Sequence, residues 1–87
     1  MSESPRPVPT VYWRPGCIFC SMLRRRLRKL GVETTEVNIW DDPEAAATVR
    51  SFADGNETVP TVVFNGVGLV NPSAKEVQRL ISAQPED

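Results

Sequence analysis

The sequence predicts a single α/β domain in which a mixed four-stranded sheet is flanked by helices, in the order β-α-β-α-β-β-α. Three observations carry that prediction. The β-branched and aromatic run Thr10-Val11-Tyr12-Trp13 is followed by a stretch of helical periodicity and then by a second alternating run, and a strand, crossover helix and strand in succession make a right-handed parallel pair. Further along, Asn65-Gly66 stands between the apolar runs Thr61-Val62-Val63-Phe64 and Val67 to Val70, a hairpin signal that requires antiparallel strands. A chain of 87 residues has room for one core, so both pairings belong to one sheet.

Residues 1–9 carry Pro5, Pro7 and Pro9 among Ser, Glu and Arg and are expected to form an extended, solvated arm, leaving 10–87 as the domain. The first strand ends at the turn signal Arg14-Pro15-Gly16. From Cys17 to Leu30, Phe19, Leu23, Leu27 and Leu30 recur at helical spacing, and Gly31 suits the left-handed position that closes a helix. Arg24, Arg25, Arg28 and Lys29 complement the negative end of its dipole. Val32 to Trp40 alternates imperfectly, with Val37 and Ile39 on one face of a second strand. Asp42-Pro43-Glu44 sets a capping carboxylate before a proline at the first helical position, and that helix runs through Ala45, Ala46, Val49 and Phe52 toward Asp54-Gly55. After the hairpin, Asn71-Pro72-Ser73 opens a last helix. Ser73 and Glu76 have capping-box spacing, and Val77, Leu80 and Ile81 form its apolar side before Pro85.

Apolar residues make up 40% of the chain and charged ones 24%, the composition of a folded domain. A net charge of −1 argues against a polycation for nucleic acid and against an acidic solvating tail. The charge is unevenly spread. No acidic residue occurs from Ser4 through Val32, whereas Arg14, Arg24, Arg25, Arg26, Arg28 and Lys29 fall there, so one end of the fold is expected to be electropositive. The arginine run reads as a solvated helix face, because no aromatic series accompanies it for stacking on bases. No apolar run reaches the roughly 18 residues of a membrane span, and Met1 to Pro9 lacks the apolar core of a signal peptide. A cytoplasmic monomer is the expectation. Trp13 and Trp40 are expected in the core or at its rim at strand ends, and Phe19 either packs or faces a ligand.

Cys17 and Cys20 are the whole thiol inventory, and there is no histidine, which excludes any His-based triad or His-ligated metal. Cysteines at i and i+3 at a helix start bring both sulfurs to one end, within reach of a disulfide, with Cys17 nearest the unpaired amides. Structural zinc needs four N or S ligands, which two cysteines do not supply. A buried inert pair is disfavoured by Pro15-Gly16, which puts Cys17 at a loop tip. The pattern is that of a redox pair.

The segment Trp13-Arg14-Pro15-Gly16-Cys17-Ile18-Phe19-Cys20, together with Thr58-Val59-Pro60, resembles the glutaredoxin branch of the thioredoxin superfamily, and the element order agrees along residues 10 to 83. The W-R-P-G-C-x-x-C box and the N-P-S opening of the last helix resemble most the actinobacterial glutaredoxin-like proteins called mycoredoxins. The resemblance implies a thioredoxin fold of glutaredoxin type. It makes Cys17 the nucleophile, Cys20 the resolving thiol and Pro60 a cis-proline facing them, with the Val59 backbone free to pair with an extended substrate. Arg14 matches the family's basic residue ahead of the cysteines and would meet a substrate carboxylate or sugar hydroxyl; Pro15 and Phe19 complete the loop side of the site. Glutaredoxins hold the γ-glutamyl end of glutathione with Gly-Gly and acidic residues before the last helix. This chain has Leu69-Val70-Asn71-Pro72-Ser73 there instead. Mycothiol, which lacks a γ-glutamyl group, suits that site better than glutathione, with Asn71 and Ser73 either bonding it or capping the helix.

The function expected is a thiol–disulfide oxidoreductase that removes mycothiol from mixed disulfides, with mycothiol as co-substrate, no bound cofactor and no metal. Its partners would be S-thiolated proteins and a flavin-dependent disulfide reductase. One alternative is a glutaredoxin-like electron donor recycled by thioredoxin reductase, for example to ribonucleotide reductase, although the Ser-Gly-Phe-Arg-Pro segment of such donors is absent. Another is a carrier of an iron–sulfur cluster bridged by Cys17 of two chains. In the redox reading, helix amides and Arg14 favour the thiolate, so the Cys17 thiol is expected to ionise below the usual thiol range. Alkylation of reduced protein by iodoacetamide against pH should show it; a midpoint at the ordinary value of about 8.5 overturns the expectation.

Overall fold

The structure is a computed structural model that describes residues 7–83. Most of the expected arm, residues 1–6, and the chain end with Pro85 lie outside the described residues. The elements are β1 (Thr10–Trp13), α1 (Ile18–Lys29), β2 (Thr35–Asn38), α2 (Pro43–Phe52), β3 (Thr61–Phe64), β4 (Val67–Val70) and α3 (Ala74–Ala83). Pro9 is already part of the fold: it is buried, and its carbonyl accepts the Thr35 N–H at 2.9 Å.

The sheet is mixed and four-stranded in the order β2-β1-β3-β4, with β1 parallel to β2 and antiparallel to β3, and β3 antiparallel to β4. Its register decides where the loops gather. Trp13 stands opposite Asn38, Tyr12 opposite Thr61, and Thr61 opposite Val70. The segments after β1, after β2, before β3 and after β4 therefore all emerge at one end of the sheet.

Strand alternation sends successive side chains to opposite faces. Val11 and Val62 pack with Leu23 and Leu27 of α1 and Ala74 and Val77 of α3. On the other face Tyr12 and Val37 pack with Ala45, Ala46 and Val49 of α2 and with Ile39. Among the described residues no helix is long and apolar enough to cross a membrane.

Three sequence expectations are corrected. The inward stripe of α1 is Cys20, Leu23 and Leu27, whereas Phe19 is 64% exposed and Leu30 45%. Phe19 precedes Cys20 by one residue and so lies about 100° around the helix from it. Trp40 is 63% exposed and is not a core residue; Ile39 takes the inward position and Trp40, next along, points away. Arg24 is not solvated like its neighbours. Its Cζ lies 4.4 Å from the centre of the Trp13 ring, and its Nη2 is 2.9 Å from Glu36 Oε1, tying α1 to the edge strand β2.

Gly68 in β4 has a packing reason. The Phe52 ring of α2 fills the space a side chain would need there, and a Cβ at 68 would come 2.6 Å from Phe52 Cγ. Gly68→Ala is expected to lower stability by about 1–3 kcal/mol, as overpacking does. Urea denaturation checks this, and an unchanged midpoint would mean that the ring swings aside freely.

Candidate active site

The loop leaving β1 turns through Pro15 and then Gly16, whose φ of +81° lies where an L side chain is strained. This sharp turn delivers Cys17 to the head of α1. Cys17 is the N-cap, with extended backbone at φ −92° and ψ 106°, and its sulfur accepts the Cys20 N–H at 3.1 Å. A sulfur thus occupies the place that a Ser, Thr or Asp oxygen usually takes. The first turn of α1 contains no acidic residue, while Arg26, Arg28 and Lys29 lie in its last turn. The positive end of the helix dipole therefore meets the sulfur without local opposition, which favours a thiolate there over a neutral thiol.

Cys17 and Cys20 are joined in a disulfide, with their Cα atoms 5.2 Å apart. Their surroundings differ. Cys20 is 1% exposed on the inward stripe of α1, whereas Cys17 is half-buried at the surface. The pair can hold or release two electrons as disulfide or dithiol, and one sulfur is accessible from outside.

Facing Cys17, the Val59–Pro60 peptide bond is cis, and the Val59 carbonyl oxygen lies 3.8 Å from the Cys17 sulfur. Pro60 is buried, and its own carbonyl accepts the Asn71 N–H at 2.7 Å, which fastens the segment after β4 to this loop. Thr61 steadies the same turn by donating its hydroxyl to the Thr58 carbonyl at 2.8 Å. Asn71 is exposed at φ +52°, a left-handed conformation that asparagine tolerates better than most residues. The end of the sheet thus gathers Pro15, Cys17, Cys20, Val59, Pro60 and Asn71.

The remaining candidates fall at different distances from the sulfur. Phe19 projects outward from the first turn of α1. Arg14 is half-buried; its Nη1 donates to the Pro15 carbonyl at 3.4 Å, and its Cζ lies 5.9 Å from the centre of the Trp40 ring. Ser73 belongs to the helix cap. Its hydroxyl accepts the Glu76 N–H at 3.1 Å, and its own N–H donates to Glu76 Oε1 at 2.8 Å. With Lys75 it lines a mostly apolar pocket of about 420 Å³ against Arg26, Lys29 and Leu30 at the opposite end of α1 from Cys17. Sequence reasoning missed Trp40 as part of this region. The available signal was the alternation Val37, Ile39 inward, which sends Trp40 outward beside Arg14.

The glutaredoxin family model matches residues 10–69. Mycoredoxin 1 of Corynebacterium glutamicum is 37% identical over 75 residues, which cover 85% of this chain and 92% of that protein. Among solved structures, a thioredoxin-like protein superposes with a TM-score of 0.71 at 25% identity, covering 83% of this chain and 97% of its own. The glutaredoxin-like NrdH-redoxin of Escherichia coli shares the fold, with a TM-score of 0.70 at 24% identity over 91% of this chain and 97% of that one. The family match spans β1 through most of β4, the C-x-x-C pair included, and with the mycoredoxin relative it makes this chain a member of the glutaredoxin family of thiol–disulfide oxidoreductases.

Proposed function

We propose that the enzyme reduces mixed disulfides between mycothiol and proteins or small molecules, with Cys17 as nucleophile and Cys20 as resolving thiol. The observation that carries this reading is the asymmetry of the pair: Cys17 is accessible at the positive end of α1, and Cys20 is enclosed behind it.

In the shorter cycle, the Cys17 thiolate attacks the mycothiol sulfur of the mixed disulfide. A bond forms between Cys17 and mycothiol, the old disulfide breaks, and the protein sulfur leaves as a thiolate that takes a proton from water. A second mycothiol thiolate then attacks the bound mycothiol sulfur, giving mycothiol disulfide and returning the Cys17 thiolate. Disulfides within a protein take the longer route. Cys20, once deprotonated, attacks Cys17 in the mixed disulfide, expels the substrate thiolate and closes the Cys17–Cys20 disulfide, which two mycothiol molecules reduce again. A flavin-dependent disulfide reductase would regenerate mycothiol.

Val59 offers backbone groups to an extended substrate beside the sulfur, as in strand addition. Arg14 supplies donors for carboxylate or hydroxyl oxygens, and Pro15 and Phe19 supply an apolar border. Asn71, exposed and tied through its N–H to the Pro60 carbonyl, offers its amide on the far side of that loop. The choice of mycothiol over glutathione is supported by its relative in Corynebacterium and by the start of α3. The turn Asn71-Pro72-Ser73 has no acidic residue, and Glu76 is already bonded to the Ser73 N–H. A clamp for the γ-glutamyl ammonium is missing from that turn, and the Ser73 hydroxyl is occupied by capping.

Turnover of one mixed-disulfide substrate, followed by NADPH consumption, distinguishes the electron sources. Activity is expected with mycothiol and its reductase. Equal activity with glutathione and its reductase, or full activity with thioredoxin reductase alone, would overturn the proposal. Cys17→Ser should lower turnover at least about a thousandfold, as loss of a nucleophile does. Cys20→Ser should keep the mycothiol cycle and lose reduction of protein disulfides; stopped-flow assays of the two substrates separate these outcomes.

A further inference from the structure

Trp40 is the largest side chain left facing solvent near the active-site loop, and its position is held from both sides. Ile39 before it is 3% exposed in the core, and its N–H donates to the Trp13 carbonyl at 2.9 Å. The Asn38 side chain accepts the Trp40 N–H at 2.9 Å, and the Asn38 carbonyl accepts the Asp41 N–H at 3.1 Å. Burying an indole is one of the larger gains open to a fold, yet here the turn presents it outward at 63% exposure. The Arg14 guanidinium lies over one face of the ring, 5.9 Å from its centre, and only Pro15 and Gly16 separate Arg14 from Cys17. The pairing of β1 with β2 brings ring and guanidinium together at the same end of the sheet as Cys17.

An indole with a guanidinium over one face and most of its surface left to solvent is chemistry suited to a polyhydroxyl ring. The C–H faces of a sugar or cyclitol pack on the indole, and its hydroxyls accept from the guanidinium, whose donors are fixed in one plane. Mycothiol has such a portion, a glucosamine joined to inositol, at the far end from its N-acetylcysteinyl sulfur. Resting on the assignment of mycothiol as co-substrate, we propose that Trp40 is a specificity-determining residue that stacks against this sugar–cyclitol portion while Arg14 bonds its hydroxyls. The contact lies on the β2 side of Cys17, opposite the Asn71 turn where a glutathione clamp would stand. Phe19 and Ile18, exposed on α1, are left to face the protein half of the mixed disulfide.

The test compares two mixed disulfides of the same peptide thiol, one with mycothiol and one with N-acetylcysteine, which carries the same reacting end without the sugar and cyclitol. For Trp40→Ala, KM for the mycothiol disulfide is expected to rise about fivefold to tenfold, with kcat unchanged and both constants for the N-acetylcysteine disulfide unchanged. Trp40→Phe should recover most of the loss. An unchanged KM in Trp40→Ala, or an equal loss on both substrates, overturns the role of Trp40. Preference of the unmodified enzyme for mycothiol over N-acetylcysteine is read in the same assay and reports separately on the co-substrate. Its absence would remove the mycothiol reading itself.

Discussion

The head of α1 donates a backbone N–H to a sulfur, and much of the molecule is arranged around that bond. A helix start leaves amide groups without partners, and some side-chain atom has to accept them. Here the accepting atom belongs to the less buried cysteine of the redox pair, so the residue that secures the helix is also the one nearer solvent. The cap fixes the rotation of α1 as well. With Cys17 at the N-cap, Cys20, Leu23 and Leu27 turn inward together, and the second sulfur enters the core on the same stripe that holds the helix to the sheet. Placement of the two thiols at different depths is thus a by-product of helix phase.

The sheet supplies the other half of the site. Because β1 runs parallel to β2 and antiparallel to β3, one end of the sheet collects the loops that carry Cys17, Trp40, Pro60 and Asn71. Backbone bonds then lock those loops to each other: Asn71 to Pro60, and Ile39 to Trp13. The opposite sheet edges are closed differently, β2 by the Arg24–Glu36 pair beneath Trp13 and β4 by α2 pressing on Gly68. The basic helix face is therefore not uniform. Arg24 is a structural tie, and Arg28 reaches the same Glu36 carboxylate at 4.0 Å while staying largely exposed.

Much of this was legible because it is written in short-range chemistry. Asp42 before Pro43, Ser73 with Glu76, and Asn65-Gly66 each specify a local geometry through one side chain or one permitted φ, and each appears in the structure where the sequence places it. Strand β2 was harder to delimit, since its ends are set by pairing with Thr10 and Trp13, which the alternation of Thr, Glu and Val does not encode. The side chains misjudged were those whose surroundings come from distant segments. Phe19 fits an apolar stripe until the cap decides the rotation of α1. Trp40 reads as core or rim by composition until Ile39 takes the inward place and leaves it to solvent, and Arg24 reads as solvated until Trp13 and Glu36 arrive from other strands. In the site, the cysteine pair was evident from spacing alone. Arg14 and Trp40 as neighbours depend on β1 and β2 lying side by side.

The burial of Cys20 also bears on damage. An oxidant arriving from solvent meets Cys17 first, because the second sulfur has only 1% exposure and lies behind it. Peroxide that converts the Cys17 thiolate to a sulfenic acid leaves an electrophilic sulfur within bonding range of the Cys20 thiol, and condensation of the two expels water and closes the disulfide. That reaction competes with further oxidation to the sulfinic state, which is lost to catalysis. The enclosed cysteine gives the exposed one a reversible resting form, the same Cys17–Cys20 disulfide that joins the pair in the structure.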